Sequence, residues 1–218
     1  MRDRPRKAKL RWIGNDARLV RPFAFLLFTF ALLSCGGTAR PSKFYALELP
    51  APPEATGEPH DVSLMVGRIG APHLYRDDRL VYRTGNMQLG TYEYHRWAEP
   101  PTDMLEAMLT RLLRASGKYR SVQTLRSNAT GDYIVRGRLH DFEEVATANG
   151  LAARVALEVE LYERASGTTV WSHFYSHDEA VSGKEVPDVV AALNRNVQAG
   201  LQKIAAEMDD YFAANSRN

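Results

Sequence analysis

Six histidines are the residues of this 218-residue chain best suited to metal binding or proton transfer. His173 and His177 are four residues apart, and on a helix that spacing chelates a metal ion. Both lie on or beside a predicted strand, however, where four residues span about 13 Å. No ligand partner at a useful spacing accompanies the other four, His60, His73, His95 and His140. We therefore expect histidines at the surface or in packing positions, and no metal site.

Motifs for nucleophilic catalysis and for phosphate binding do not occur in the sequence. It contains no Gly-x-Ser-x-Gly, no GxxxxGK[ST] and no GxGxxG. Two pairs of adjacent acids, at 143–144 and 209–210, are typical of solvated positions at the ends of elements. We therefore predict that the protein is not an enzyme. An envelope enzyme is an alternative against which the missing catalytic groups argue.

The only cysteine, Cys35, follows a basic stretch and a short apolar run. Residues 23–33 carry no charge, but eleven residues are fewer than the roughly 20 that a membrane-spanning helix needs. A basic start, a short apolar run and small residues after it are typical of a secretory signal peptide. The segment Leu32-Leu33-Ser34-Cys35-Gly36 resembles the lipobox of bacterial lipoproteins. In that motif, a diacylglyceryl thioether forms on the sulfur before the preceding peptide bond is cut.

The lipobox resemblance implies that residues 1–34 are a lipoprotein signal peptide that is removed. Cys35 would then carry diacylglycerol and an N-acyl chain such as palmitate, with no other cofactor. Each buried CH₂ of an acyl chain contributes about 0.8 kcal/mol to the free energy of membrane binding, so several acyl chains make attachment effectively permanent. Residue 36 is Gly and not Asp, which by resemblance to lipoprotein sorting signals implies the periplasmic face of the outer membrane. The alternative is an incidental or buried cysteine after a signal sequence.

Charge and composition differ between the predicted signal peptide and the rest of the chain. Residues 1–34 hold eight basic and two acidic side chains, whereas the remainder holds 20 basic and 24 acidic ones. We expect no binding to nucleic acid, because a net charge of −4 does not favour contacts with phosphate. The overall composition, 44% hydrophobic and 25% charged, is that of a globular domain.

Residues 35–43 are predicted to be a lipidated tether and residues 44–213 a single domain, with a frayed tail at 214–218. The eight residues from Gly36 to Lys43 span at most about 29 Å when fully extended. We therefore expect the domain to lie close to the bilayer that holds Cys35. Alone it cannot bridge two membranes.

Apolar and polar residues alternate along several segments, which predicts strands at 44–49, 61–69, 79–84, 87–95, 119–122, 133–145, 153–163 and 170–175. Gly85-Asn86 between two of them indicates a tight hairpin turn, with Tyr82 opposite Leu89. The alternation within 153–163 is typical of a half-buried strand with an antiparallel neighbour.

Two segments have the apolar spacing of amphipathic helices. The first opens at Pro100-Pro101, has Asp103 and Glu106 at capping-box spacing, and ends at Gly117. The second starts near Pro187 and has apolar residues at intervals of three and four for about six turns. It is expected to fray from Ala213. These elements together predict an α/β fold with helices packed on a mixed sheet.

Three segments resemble the ABC-type transport auxiliary lipoprotein family, which includes the paraquat-inducible intermembrane transport lipoproteins. They are Phe44-Tyr45-Ala46-Leu47 soon after the lipobox, Leu80-Val81-Tyr82-Arg83 before the Gly85 turn, and His95-Arg96-Trp97-Ala98-Glu99-Pro100 before the first helix. The resemblance runs from Cys35 to about Tyr211. It implies a three-layer α/β single domain with a mixed β-sheet, distantly like the amino-terminal domain of TolB.

The family resemblance also implies a function and partners. Its members work beside an MCE-domain protein, an inner-membrane permease and, in many systems, an ATPase, which together move lipids between two membranes. The chain would then be the lipid-anchored docking subunit at the outer membrane. The alternative is a lipid-binding periplasmic shuttle or envelope-assembly lipoprotein with its own apolar pocket.

Six residues of the predicted hairpin form a candidate partner interface: Tyr82, Arg83, Tyr92, Tyr94, Arg96 and Trp97. Tyrosine, tryptophan and arginine are enriched at protein interfaces, so we predict that this hairpin docks an MCE protein or a second copy of the chain. The alternative is that the tyrosines cover the sheet beneath the first helix and that Trp97 packs over the helix start.

Overall fold

The structure, a computed structural model, describes residues 40–48, 58–85, 87–126, 128 and 130–215. Cys35 and the predicted signal peptide lie outside this part of the chain. The described strands are β1 (Lys43–Tyr45), β2 (His60–Gly70), β3 (Arg79–Thr84), β4 (Gln88–Trp97), β5 (Tyr119–Thr124), β6 (Tyr133–Thr147), β7 (Gly150–Glu163) and β8 (Thr168–Ala180). The described helices are a 3-10 turn (His73–Arg76), α1 (Pro101–Ala115) and α2 (Val186–Asn215).

All eight described strands belong to one mixed sheet in which β6 is the central strand. On one side, β7 pairs with β6 and β8 pairs with β7, both antiparallel. On its other side, β6 pairs in parallel with β2 along its first half and with β3 along its second half. The sheet therefore forks at β6: one branch continues to β5, and the other continues through β4 to β1.

The β3–β4 hairpin forms as predicted, but its register differs by one residue. Thr84 pairs with Gln88 and Tyr82 pairs with Gly90, so the predicted pairing of Tyr82 with Leu89 is wrong. The prediction assumed a two-residue loop with Thr84 opposite Met87, whereas the described ladder ends with Thr84 opposite Gln88. Gly85 has a φ of +65°, a left-handed conformation that glycine adopts without steric cost. Asn86 lies outside the described residues.

Helix α1 ends as predicted but begins differently. Gly117 follows the last turn with a φ of +64°, which is typical of a helix C-terminus. Pro100 is the N-cap, and no side chain caps it, so the predicted capping box of Asp103 and Glu106 does not form. Glu106 instead is buried and pairs with Arg126. Because the helix already starts at Pro101, both acids lie inside it.

Helix α2 has 30 residues and buries most of the predicted apolar positions, including Leu193, Leu201 and Met208. It continues to Asn215, beyond the predicted start of fraying. Helix α1 packs on β2 and β5, α2 packs on β7 and β8, and the helices touch each other. The predicted α/β class, amphipathic helices on a mixed sheet, is confirmed. No helix in the described residues is long and apolar enough to cross a membrane.

Candidate functional site

The candidate interface lies at the branch of the sheet formed by β3, β4 and β1. We call this region the hairpin surface, comprising Arg79–Thr84, Gln88–Trp97 and Lys43–Tyr45. The structure brings all six predicted interface residues together on β3 and β4. Their burial and hydrogen bonds show which of them a partner could reach.

Trp97 is a core residue and not part of an exposed surface. Its side chain is 1% exposed, and its ring packs 5.3 Å from the ring of Phe142 on β6. Its backbone N–H donates to the carbonyl of Asp78. The alternative interpretation, that Trp97 packs near the start of α1, agrees with this burial. The sequence-based assignment of Trp97 to the interface is therefore corrected.

Arg83 is tied to a buried carboxylate. Its Nε donates to Glu143 Oε1 at 2.5 Å, and a further amino group lies 3.6 Å from Asp141. Glu143 is 0% exposed and also accepts a 2.7 Å hydrogen bond from the Tyr75 hydroxyl. Burial, and then the hydrogen bond to Glu143, raise the pKa of Tyr75, so that its hydroxyl remains a donor. Arg83 thus satisfies a buried charge within the domain, a role that its sequence context does not reveal.

The aromatic residues of the hairpin surface form a connected cluster. The Tyr92 hydroxyl donates to Glu144 at 2.6 Å, and its ring contacts those of Tyr82 and His95. Burial and the Glu144 carboxylate raise the pKa of Tyr92. The ring of Tyr45 on β1 stacks on His95. Tyr92 therefore stabilises the sheet as well as lining this surface.

Arg96 and Tyr94 complete the predicted set. Arg96 donates to Asp78 at 2.7 Å, and about a quarter of its side chain is exposed. Tyr94 is half-buried on the same strand. Three large apolar side chains on or beside the hairpin surface are exposed, and none of them is among the six predicted residues: Met87, Leu89 and Phe44. Met87 and Leu89 both follow the Gly85 turn, and Phe44 lies on β1.

Three histidines of β6 and β8 each lie near one carboxylate in the structure. His173 contacts Glu207 at 2.5 Å, His140 contacts Glu158 at 3.1 Å, and His177 lies 3.6 Å from Glu179. No group of three His, Cys, Asp or Glu residues within the described residues has metal-binding geometry.

A cavity of about 280 Å³ lies between the end of α1 and the last third of α2. Leu112, Leu113 and Ala205 form much of its apolar wall. The hydroxyl of Tyr119, a buried residue of this wall, has no hydrogen-bond partner among the described residues. This volume is at the lower end of the range of small-molecule sites, about 300–1,000 Å³, and is too small for a whole two-chain lipid.

Lys118 and Asp209 line the polar side of this cavity, and His60 is hydrogen-bonded to Asp209. Asp209 accepts hydrogen bonds from Lys118 and, at 2.8 Å, from His60. Burial alone would raise the pKa of Asp209, but Lys118 and His60 hold it below its usual value. The three residues are far apart in the chain, so no sequence motif marks this site.

Comparisons with known proteins agree with this fold. The family model described as ABC-type transport auxiliary lipoprotein component matches residues 45–205. A crystal structure of a protein from Xanthomonas campestris has a TM-score of 0.75 and 21% identity, covering 81% of this chain and 100% of that chain. An uncharacterised protein has a TM-score of 0.63 and 16% identity, covering 78% of this chain and 99% of its own. A hypothetical protein from Chlamydia trachomatis has a TM-score of 0.51 and 9% identity, covering 71% and 99%. No curated protein sequence gives a significant match.

Proposed function

The chain belongs to the ABC-type transport auxiliary lipoprotein family, and from this premise we propose that it is the lipid-anchored docking subunit of an MCE-type intermembrane lipid transport system. The observation that carries the proposal is the family match over residues 45–205, nearly the whole folded part of the chain. In this role the domain binds other components of the transporter and catalyses no reaction itself.

The anchor of this subunit is proposed to be the acylated Cys35, at the periplasmic face of the outer membrane. The lipobox-like segment and Gly36 support this location. A tether of at most about 29 Å holds the domain next to one membrane. The proposed partners, an MCE-domain protein and its ABC permease and ATPase, would therefore span the remaining distance.

The docking surface is proposed to be the hairpin surface, with Tyr82, Tyr94 and Arg96 as its contact residues. These side chains are half-buried, and they remain at the surface where Trp97 does not. Tyrosine and arginine are enriched among the interface residues that contribute most of the binding energy. A second copy of the chain is the other partner compatible with this surface.

Replacing Tyr94 by alanine tests this docking surface. We expect capture of the MCE-domain protein to fall about tenfold, since a tenfold loss of affinity corresponds to only about 1.4 kcal/mol and interface tyrosines often contribute more. Capture is measured by pull-down with the lipidated protein. Glu93→Ala, at an exposed position next to it on β4, is the matched control. Unchanged capture by a folded Tyr94→Ala protein would exclude this surface.

The second candidate function, a lipid-binding shuttle, rests on the cavity between α1 and α2. Its apolar wall and the hydroxyl of Tyr119 could hold a small amphiphile. We expect protein purified from cells, with its covalent anchor accounted for, to show no bound lipid by native mass spectrometry, because the cavity is too small for one. One bound lipid per chain would favour the shuttle over the docking subunit.

A further inference from the structure

The turn of the β3–β4 hairpin exposes apolar side chains. We call Gly85, Met87, Gln88 and Leu89 the hairpin tip. Met87 is 94% exposed and Leu89 is 41% exposed. Between positions 82 and 92 the sequence contains no acid, and its one charged residue, Arg83, is bound to Glu143. The tip therefore presents an uncharged apolar end.

The direction of β1 indicates which end of the hairpin faces the amino-terminal segment with the proposed membrane anchor. β1 is parallel to β4, with Lys43 opposite His95 and Tyr45 opposite Trp97. The amino end of β1 therefore points in the same direction as the amino end of β4, which is the end that carries the tip. At Lys43 the backbone, followed towards the amino terminus, is therefore directed to the end of the hairpin that carries the tip.

The length of the tether agrees with the length of the hairpin. From His95 to Gln88 the strand β4 covers seven steps, or about 24 Å. From Lys43 to Cys35 the tether covers eight steps, at most about 29 Å. A bilayer that holds acylated Cys35 is therefore within reach of the hairpin tip. This step rests on the lipid anchor of the proposed function.

We propose that the hairpin tip is a second membrane contact, which inserts Met87 and Leu89 into the lipid surface and orients the domain on it. Full transfer of such a side chain from water into an apolar phase is favoured about tenfold to a hundredfold. Two residues do not hold a free protein on a membrane. Because the tether already holds the domain on the membrane, the contact is intramolecular. The effective concentration of the hairpin tip at the lipid surface is then on the order of millimolar.

Tryptophan at position 87 tests this contact. The full lipidated protein carrying Met87→Trp is reconstituted into vesicles of phosphatidylethanolamine and phosphatidylglycerol with brominated acyl chains. Because interfacial segments lie about 5–10 Å into the headgroup and acyl boundary, we expect about twofold or greater quenching of this tryptophan. The matched control is Phe174→Trp, a 56% exposed position on β8, whose emission should not change. Emission of the parent protein is subtracted from both.

Three results would contradict the proposal, and they have different meanings. If the protein floats with the vesicles and position 87 is not quenched, the second contact does not exist and the anchor stands. If position 87 is unquenched but responds to added MCE-domain protein, the tip belongs to a protein interface instead. If the parent protein does not float with the vesicles, the lipid anchor fails, and this proposal fails with it. Folding does not obscure the result, because the Met87 side chain is almost fully exposed.

Discussion

Replacing Glu143 by alanine is expected to lower the free energy of unfolding by about 3–5 kcal/mol, the range typical of a buried ion pair that loses one partner. The carboxylate is fully buried and accepts hydrogen bonds from Arg83 and Tyr75. Its removal leaves the Arg83 guanidinium with only the more distant Asp141 carboxylate, at 3.6 Å, and leaves the Tyr75 hydroxyl without its acceptor. For a domain of this size the loss corresponds to about 6–20 °C in Tm, measured by thermal unfolding.

Two further variants separate this effect from a general effect of removing an acid. Glu93→Ala, at an exposed position on the neighbouring β4, should change stability by no more than about 0.5 kcal/mol. Glu143→Gln keeps the volume and one carbonyl acceptor, so its loss should be intermediate. A loss below about 1 kcal/mol for Glu143→Ala would mean that the carboxylate is not the group that neutralises Arg83.

Replacing Cys35 by serine is expected to remove the protein from the outer-membrane fraction. A hydroxyl does not take the place of the thiol in forming the diacylglyceryl thioether, and without that thioether the signal peptide is not cut at this position. The variant should accumulate as an uncleaved or soluble protein, because the acyl chains that make attachment effectively permanent are missing. Fractionation of the envelope and the mass of the amino-terminal peptide measure both effects.

The matched control for the anchor is Ser42→Ala, in the tether but outside the lipobox-like segment. It should fractionate like the parent protein. Outer-membrane fractionation of Cys35→Ser at the level of the parent would overturn the assignment of Cys35 as the lipid attachment site. That result would also remove the premise for membrane contact by the hairpin tip.

The main elements of the fold were predictable because their signals are local. The alternation in 153–163 and the three- and four-residue spacing around Leu193 and Leu201 depend only on the repeat of one strand or one helix. Segments from each of the eight described strands and both helices were therefore identified from sequence. The hairpin register was not, because the ladder ends with Thr84 opposite Gln88, so that residues 81–84 pair one position further along β4 than a two-residue loop would allow.

The candidate surface was predictable in part. Residue types selected six residues that the structure brings together on β3 and β4, but they could not separate Trp97, which is buried, from Tyr94, which is half-buried. The exposure of Met87 and Leu89 could not be predicted from the sequence either, because an apolar residue beside a turn is buried or exposed depending on which other segments pack against it.

The sequence by itself determined the lipobox-like segment, the tether length, the repeat pattern of the elements and the family resemblance, since each depends on residues close together in the chain. Only the tertiary structure decided the partners of the charged groups. Arg83 meets Glu143 across 60 residues, and His60 meets Asp209 across 149. These contacts arise because parallel pairing of β3 with β6 and packing of α2 near β2 bring distant segments together. The fork at β6 likewise depends on two strands sharing one edge, which no local pattern encodes.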